Sequence, residues 1–337
     1  SQYSVGDEWG TLDVYSESIP IAGTNPETFE FFRTRHGVVV SDEPRSGRIL
    51  ALKWDSLWAG DNTLAFLRIN QASNWLEFTE AIRALRSFPL ALVYADVEGN
   101  IGLFPSGDLP IRSGFDGSIP VDGSSGELEW QGFIPHEEKP FLLNPEDGYV
   151  VSANHRIPFD ETTPSMGVDQ LAPFRAQRVA SLLATMDRVA LTDFARIQAD
   201  RYDASTEPLL RHLMSLELDS DDAREAHSLL RSWNGQMSSG AAPAIYQAFY
   251  RALLENTFRD DLGEELFLEF LEFVEPGYPG AIHSVIDDPG ADWWDDKTTP
   301  DIEDRSAIFK RSFAEAVASL EERQGQGPDN WDWGGLH

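Results

Sequence analysis

Cysteine is absent, which rules out disulfides, thiol nucleophiles and cysteine-ligated zinc. Lysine is nearly absent, with only Lys53, Lys139, Lys297 and Lys310 in 337 residues. Acids outnumber bases 57 to 26, for a net charge of −31, and such a field repels nucleic acid and anionic membrane surfaces. No apolar run approaches the ~18 residues a membrane-spanning helix needs. The opening residues, Ser1-Gln2-Tyr3-Ser4-Val5-Gly6-Asp7, hold neither a basic nor an apolar stretch, so no signal peptide is expected there. No repeat of fixed period stands out.

What is present suffices for a core. Hydrophobic residues make up 41% of the chain, enough for one large domain or two smaller ones. The acids are spread throughout the chain and arginine stands where lysine usually would. Either an acidic interaction surface or adaptation to high salt accounts for this. At ~1 M salt, repulsion is screened within ~3 Å, and the even spread favours the salt reading.

Residues 1–165 read as β-rich. Strands are expected at Tyr3–Trp9, Thr11–Ile21, Thr28–Arg35, Val38–Val40 and Ile49–Trp54, where aromatic and β-branched residues concentrate. Trp75, Phe78, Ile82 and Leu85 recur at helical spacing behind Asn74, a plausible N-cap. Leu90–Asp96 and Ile101–Phe104 flank a turn as a hairpin. Residues 105–147 read as a long loop, then Asn144-Pro145-Glu146-Asp147-Gly148 as a turn and Tyr149–Val151 as a short strand. Beyond Pro164 the pattern becomes helical. Helices are expected at Arg175–Val189, Asp193–Asp200 (capped by Thr192), from Ser205, from Ser220 to near Trp233, Ala242–Phe258, Glu264–Phe273 and Ile302–Arg323. Pro276–Asp296, with Tyr278, Trp293 and Trp294, reads as a loop. Strands followed by helices suggest an α+β fold.

Four ordered segments carry a family resemblance: Arg35-His36-Gly37-Val38-Val39, Tyr94-Ala95-Asp96-Val97-Glu98-Gly99-Asn100-Ile101-Gly102, Trp130-Gln131-Gly132-Phe133-Ile134-Pro135 and Asn144-Pro145 through Ala153-Asn154-His155-Arg156. Together they resemble the penicillin acylase (penicillin amidase) family of N-terminal nucleophile (Ntn) hydrolases, with the match running over most of residues 3–190. The resemblance implies part of an Ntn-hydrolase β-sheet core with long loops, 1–165, followed by a mainly helical part, 166–337. It implies hydrolysis of acyl amides by an N-terminal serine that opens a β chain freed by self-cleavage, with its own α-amine as base. The family is usually periplasmic or extracellular.

On this resemblance Asn154 is the oxyanion-hole asparagine and Arg175 the active-site arginine. Read from the residues alone, Asn154 is a turn former bonded to its own backbone, and Arg175 is equally a solvated helix arginine. Arg178, three residues on, is the competing arginine. The family usually has Asn where His155 stands. His36 and His155 read as structural, since the α-amine supplies the base. Asp287-Asp288 and Asp295-Asp296 read as a solvated charge run. No cofactor is expected. Some members bind calcium in the full-length protein, and Asp160 or Asp169 offers one oxygen each at most, which is not a site.

Tyr3–Trp9 resembles a segment several dozen residues after the family's nucleophile, so the chain is expected to begin inside the β chain, with Ser1 not the nucleophile. The Trp-rich run Asn330–His337 is expected to lead into further sheet. The expected partners are the remainder of the parent α and β chains and a small acyl amide, with no nucleic acid and no membrane. An N-acyl homoserine lactone acylase, and a non-catalytic acidic binding module on the same scaffold, stand as the alternative functions.

Overall fold

A computed structural model of the chain describes residues 2–43, 48–55, 62–157, 159, 166–168, 170–274 and 280–336. Ser1, Asp160, Pro164, Asp169, Pro276, Tyr278 and His337 lie outside the described residues. The fold mixes helix and sheet, and it divides into two compact units: residues 1–152 with 157–170, and residues 153–156 with 171–337.

The first unit holds antiparallel sheet. β1 (Gln2–Val5) and β2 (Glu8–Thr11) form a hairpin across Gly6, whose φ of 56° the turn requires. β3 (Asp13–Ile19), β4 (Glu27–Thr34), β5 (Gly37–Glu43) and β6 (Arg48–Leu52) make a four-stranded sheet in chain order. Its register sets Tyr15 opposite Phe31 and Glu17 opposite Phe29. Tyr15, Ile19, Phe29 and Phe31 therefore share a face, and each is 43–51% exposed. At Gly37 (φ 140°) a Cβ would fall 1.8 Å from the Leu52 carbonyl oxygen, so only glycine fits where β5 meets β6.

Helix α1 (Asn62–Gln71), which no sequence pattern announces, lies beside α2 (Trp75–Ile82). The Asn74 side chain caps α2 by accepting the Glu77 N–H at 3.0 Å. Phe78 and Ile82 of α2 pack on Tyr94 and Phe104 of the hairpin β7 (Ala91–Ala95) and β8 (Ile101–Pro105). The long loop expected over 105–147 is in fact punctuated. β9 (Pro110–Arg112) pairs with β10 (Trp130–Phe133), and β11 (Leu142–Leu143) adds to β8. These strands are two to four residues long, too short for alternation to announce them.

The second unit is helical. It contains α3 (Phe174–Leu183), α4 (Leu191–Gln198), α5 (Thr206–Leu213), α6 (Asp221–Ser232), α7 (Ala241–Val274), α8 (Gly280–Val285) and α9 (Arg305–Gln324). α3 stops at Leu183, short of the expected Val189, and continues as turns. α4 begins two residues early because the Asp193 carboxylate, not Thr192, caps it, accepting the Ala190 N–H at 2.7 Å. The two helices expected across 242–273 are both present within α7, separated at Gly263, where φ is 70°. The stretch expected as loop after Pro276 carries α8 and a 3₁₀ turn at Asp292–Trp294.

Phe249 of α7 meets Phe309 and Phe313 of α9 edge-on at 5.5 and 5.8 Å, and all three are fully buried. Buried Trp294 closes on Phe309 at 6.0 Å while its indole N–H donates to the Asp288 carbonyl. Each such side chain contributes roughly 1.5–3 kcal/mol of burial. The Trp-rich end forms 3₁₀ turns at Pro328–Asn330 and Trp333–Leu336, and Trp331 is buried in the helical core. No helix among the described residues is long and apolar enough to cross a membrane.

Candidate active site

Asn144 is where the turn before Asn154 is fastened. Its side chain accepts the Ile101 N–H at 2.9 Å and donates to Asn100 at 2.9 Å, and its φ is 50°. Asn100 in turn bonds Asp96, whose carboxyl is held down to about 2 by hydrogen bonds from the Asn100 side chain and neighbouring backbone, against the opposing effect of burial. Gly148 closes the turn by donating to the Pro145 carbonyl at 3.0 Å, with φ 73°. Tyr149–Val151, expected as a strand, joins no ladder among the described residues: β-branched residues favour extension, but no described strand takes up their backbone.

Pairing resumes four residues later. His155 forms an isolated parallel bridge with Leu171, and the Leu171 N–H donates to the Asn154 carbonyl at 2.7 Å. Asn154 itself has φ 61°, left-handed backbone that asparagine tolerates better than most residues. Its side chain is on the exposed side, not packed beneath helices.

Arg175 stands on the first turn of α3, behind Pro173. One guanidinium nitrogen, Nη2, donates both to the Asn154 Oδ1 at 2.8 Å and to the Ala153 carbonyl at 2.9 Å. Arginine has no acceptor, so the amide atom facing it must be oxygen. That fixes the flip of the carboxamide and turns Nδ2, with its two N–H donors, away from Arg175. Among the described residues no acceptor binds that Nδ2.

The helix carrying Arg175 is anchored on both sides. The ring of Phe174 lies 4.6 Å from that of His283, whose Nε2 meets the Ser205 carbonyl at 2.8 Å. Arg178 is bound to Asp200 at 2.5 Å and lies 4.3 Å over the Tyr202 ring. Arg178 is thus committed to Asp200, and Arg175 is the arginine that reaches Asn154. A carboxamide so held can present an N–H to an oxygen gaining negative charge.

His155 adjoins this pair. Its Nδ1 is buried without a hydrogen-bond partner among the described residues, and burial, then the nearby Arg175 charge, lowers its pKa. His36 lies in the first unit and bonds Glu129 at 2.7 Å, together with Lys53 at 2.8 Å and Arg35. Burial of Glu129 works against its charge, but the bonds from Lys53 and His36 outweigh it and hold the carboxyl to about 2. His36 is therefore a fastening between the sheet and the segment before β10. The acid run is only partly a solvated surface. Asp287 is out in solvent, whereas Asp296 takes Arg311 at 2.8 Å and Asp295 accepts the Glu303 N–H at 3.2 Å.

Two participants gave no sequence signal, the Ala153 carbonyl and the Leu171 N–H, because backbone groups carry none. The left-handed turn at Asn154 had one, the small-residue-then-Asn pattern of Ala153-Asn154. Among the described residues no cluster of three or more His, Asp or Glu could hold a metal ion.

The family model described as penicillin amidase matches residues 1–337. The acyl-homoserine lactone acylase QuiP of Pseudomonas fluorescens is 29% identical, over 99% of this chain and 44% of its own length. The penicillin acylase 2 proenzyme of a Pseudomonas species is 30% identical, over 98% of this chain and 42% of its own. The chain thus spans less than half the length of these relatives. A thermostable penicillin G acylase from Alcaligenes faecalis shares the fold, with a TM-score of 0.73 at 21% identity, covering 98% of this chain and 64% of that one.

Proposed function

Since the chain belongs to the penicillin amidase family, we propose that it is part of an amidohydrolase that cleaves acyl amides through an N-terminal serine acyl-enzyme. In this reading the nucleophile is an N-terminal serine whose own α-amine is the base, and this chain contributes the oxyanion donor. Residues 1–165 supply β-rich core and 166–337 the helical part, and the partners are the remainder of the α and β chains. The reaction needs no cofactor, because nucleophile, base and donor are all protein groups. Calcium, if the full-length protein takes it, is structural and held mainly by residues elsewhere.

Asn154 would donate its Nδ2–H to the oxyanion of the tetrahedral intermediate, and Arg175 would hold the amide in that orientation. The observation that carries this is the Arg175 Nη2 to Asn154 Oδ1 hydrogen bond of 2.8 Å, which leaves the donor end of the amide without an acceptor among the described residues. Collapse of the intermediate releases the amine and leaves the acyl group on the serine. Attack by water through a second tetrahedral intermediate, held by the same donor, then frees the acid.

The relatives favour one further reading of the same chemistry. QuiP acylases, named for acyl-homoserine lactones, align over 99% of the chain, which supports an N-acyl homoserine lactone as the amide cleaved. The test is to change Asn154 to Ala in the full-length protein and assay a penicillin and an N-acyl homoserine lactone in parallel. Loss of one such donor typically costs about 10²–10³ in kcat. Preferential turnover of one substrate decides between them. Unchanged turnover of both would end the assignment of Asn154, and a full-length protein with no hydrolysis at all would favour the acidic binding module.

A further inference from the structure

We propose that His155 is a positioning residue for the Arg175–Asn154 pair: while its ring is uncharged the guanidinium rests on Asn154, and a proton on the ring drives it off. This rests on the reading of Asn154 as the donor. His155 directly follows Asn154, and its bridge to Leu171, with the Leu171 N–H on the Asn154 carbonyl at 2.7 Å, ties residues 154–155 to the segment entering α3. A shift of the imidazole is therefore passed to both members of the pair.

The ring has little room to become charged where it sits. Its Nδ1 is buried and, among the described residues, has no hydrogen-bond partner. A neutral ring can leave an acceptor lone pair there, whereas a charged one must place an N–H donor there with no acceptor, which forfeits the full solvation of that group. Arg175 is the one ionisable group among the described residues whose charge bears on the ring, and it repels a second cation. Among the described residues, neither α3 nor the Leu171 segment brings a carboxylate to offset it. Burial and Arg175 both favour the neutral form, so the site stays assembled through neutral pH and loosens as pH falls below the ordinary imidazole range near ~6.5.

The test follows the side chains of the 337-residue chain by ¹H–¹⁵N NMR from about pH 8 down to about pH 4.5. The His155 ring is expected to titrate below the ordinary value, and the Asn154 carboxamide resonances to move with the same midpoint. In His155→Gln, which cannot take the proton, the Asn154 resonances are expected to stay put over that range. Asn154 resonances that do not move through the His155 midpoint, or that move equally in the variant, would overturn the proposal. If His155→Gln fails to fold, the wild-type titration decides alone. The readout needs no turnover, so it fails separately from the donor reading: a linked titration with normal hydrolysis by Asn154→Ala would remove the donor and keep the linkage.

Discussion

The helical unit and the four-stranded sheet solve the same problem to different degrees. In the helical unit α7 and α9 turn their aromatic stripes toward each other, and Phe249, Phe309 and Phe313 are fully buried within it. In the β3–β6 sheet, Tyr15, Ile19, Phe29 and Phe31 line one face and remain about half exposed. A helix needs cover along one stripe, which a neighbouring helix supplies; a sheet with apolar residues on a face needs a whole second layer. The helical unit closes its core from its own residues. The sheet face is the kind of surface that the proposed remainder of the protein would cover.

The comparison breaks most readily at Phe313. Phe313→Ala is expected to cost about 3–5 kcal/mol by urea unfolding, because the fully buried ring leaves a cavity. A loss under about 1 kcal/mol would mean the helical core is no tighter than the sheet. Salt acts next. Raising KCl from about 0.1 M to about 1 M shortens the screening length from ~10 to ~3 Å and should raise Tm by several degrees, and a flat Tm would refute salt adaptation.

Glu129→Gln sharpens the picture of the first unit, since one carboxylate there serves Arg35, His36 and Lys53. The expected cost is about 1–2 kcal/mol at neutral pH, measured by denaturant melts. The sign follows from linkage. The folded carboxyl is held to about 2, while an unfolded glutamate titrates near ~4.3, so its contribution is fully present above ~4.3 and is lost as pH falls towards 2. Glu129→Gln should lack that acid-side loss. The smallest effect belongs to the exposed face. Phe29→Ser or Phe31→Ser is expected to change the stability of this chain by about 0.5 kcal/mol or less, and a cost above about 2 kcal/mol would show the face already covered.

Much of the local structure was legible in the sequence. Asn74 before Trp75, Phe78 and Ile82 announces a capped amphipathic helix, and the structure has it. Ser220 caps α6 in the same way, accepting the Ala223 N–H at 3.1 Å. The hairpin of β7 and β8 stands out because its turn and alternation agree. What stayed hidden is what depends on a distant partner. Among the described residues Tyr149–Val151 has strand-like residues but no ladder, while β11 has two residues and gains its pairing from β8. α4 starts early because Asp193 reaches back to Ala190, a choice that composition does not separate from a cap by Thr192.

The candidate site divides along the same line. Asn154 and Arg175 were singled out by resemblance, and spacing alone would not choose Arg175 over Arg178. What separates the two is Asp200, which occupies Arg178 from 22 residues away. The left-handed backbone at Asn154 and the bridge from His155 to Leu171 likewise come from the folded chain.

The account turns on one amide held by one guanidinium, and a double-mutant cycle on kcat for acyl-amide hydrolysis in the full-length protein tests it most directly. Asn154→Ala is expected to lower kcat by about 10²–10³, and Arg175→Ala to lower it by about tenfold or more. If Arg175 acts through Asn154, adding Arg175→Ala to Asn154→Ala should change kcat by less than about twofold. Losses that simply multiply, or an Asn154→Ala variant with wild-type kcat, would contradict the account.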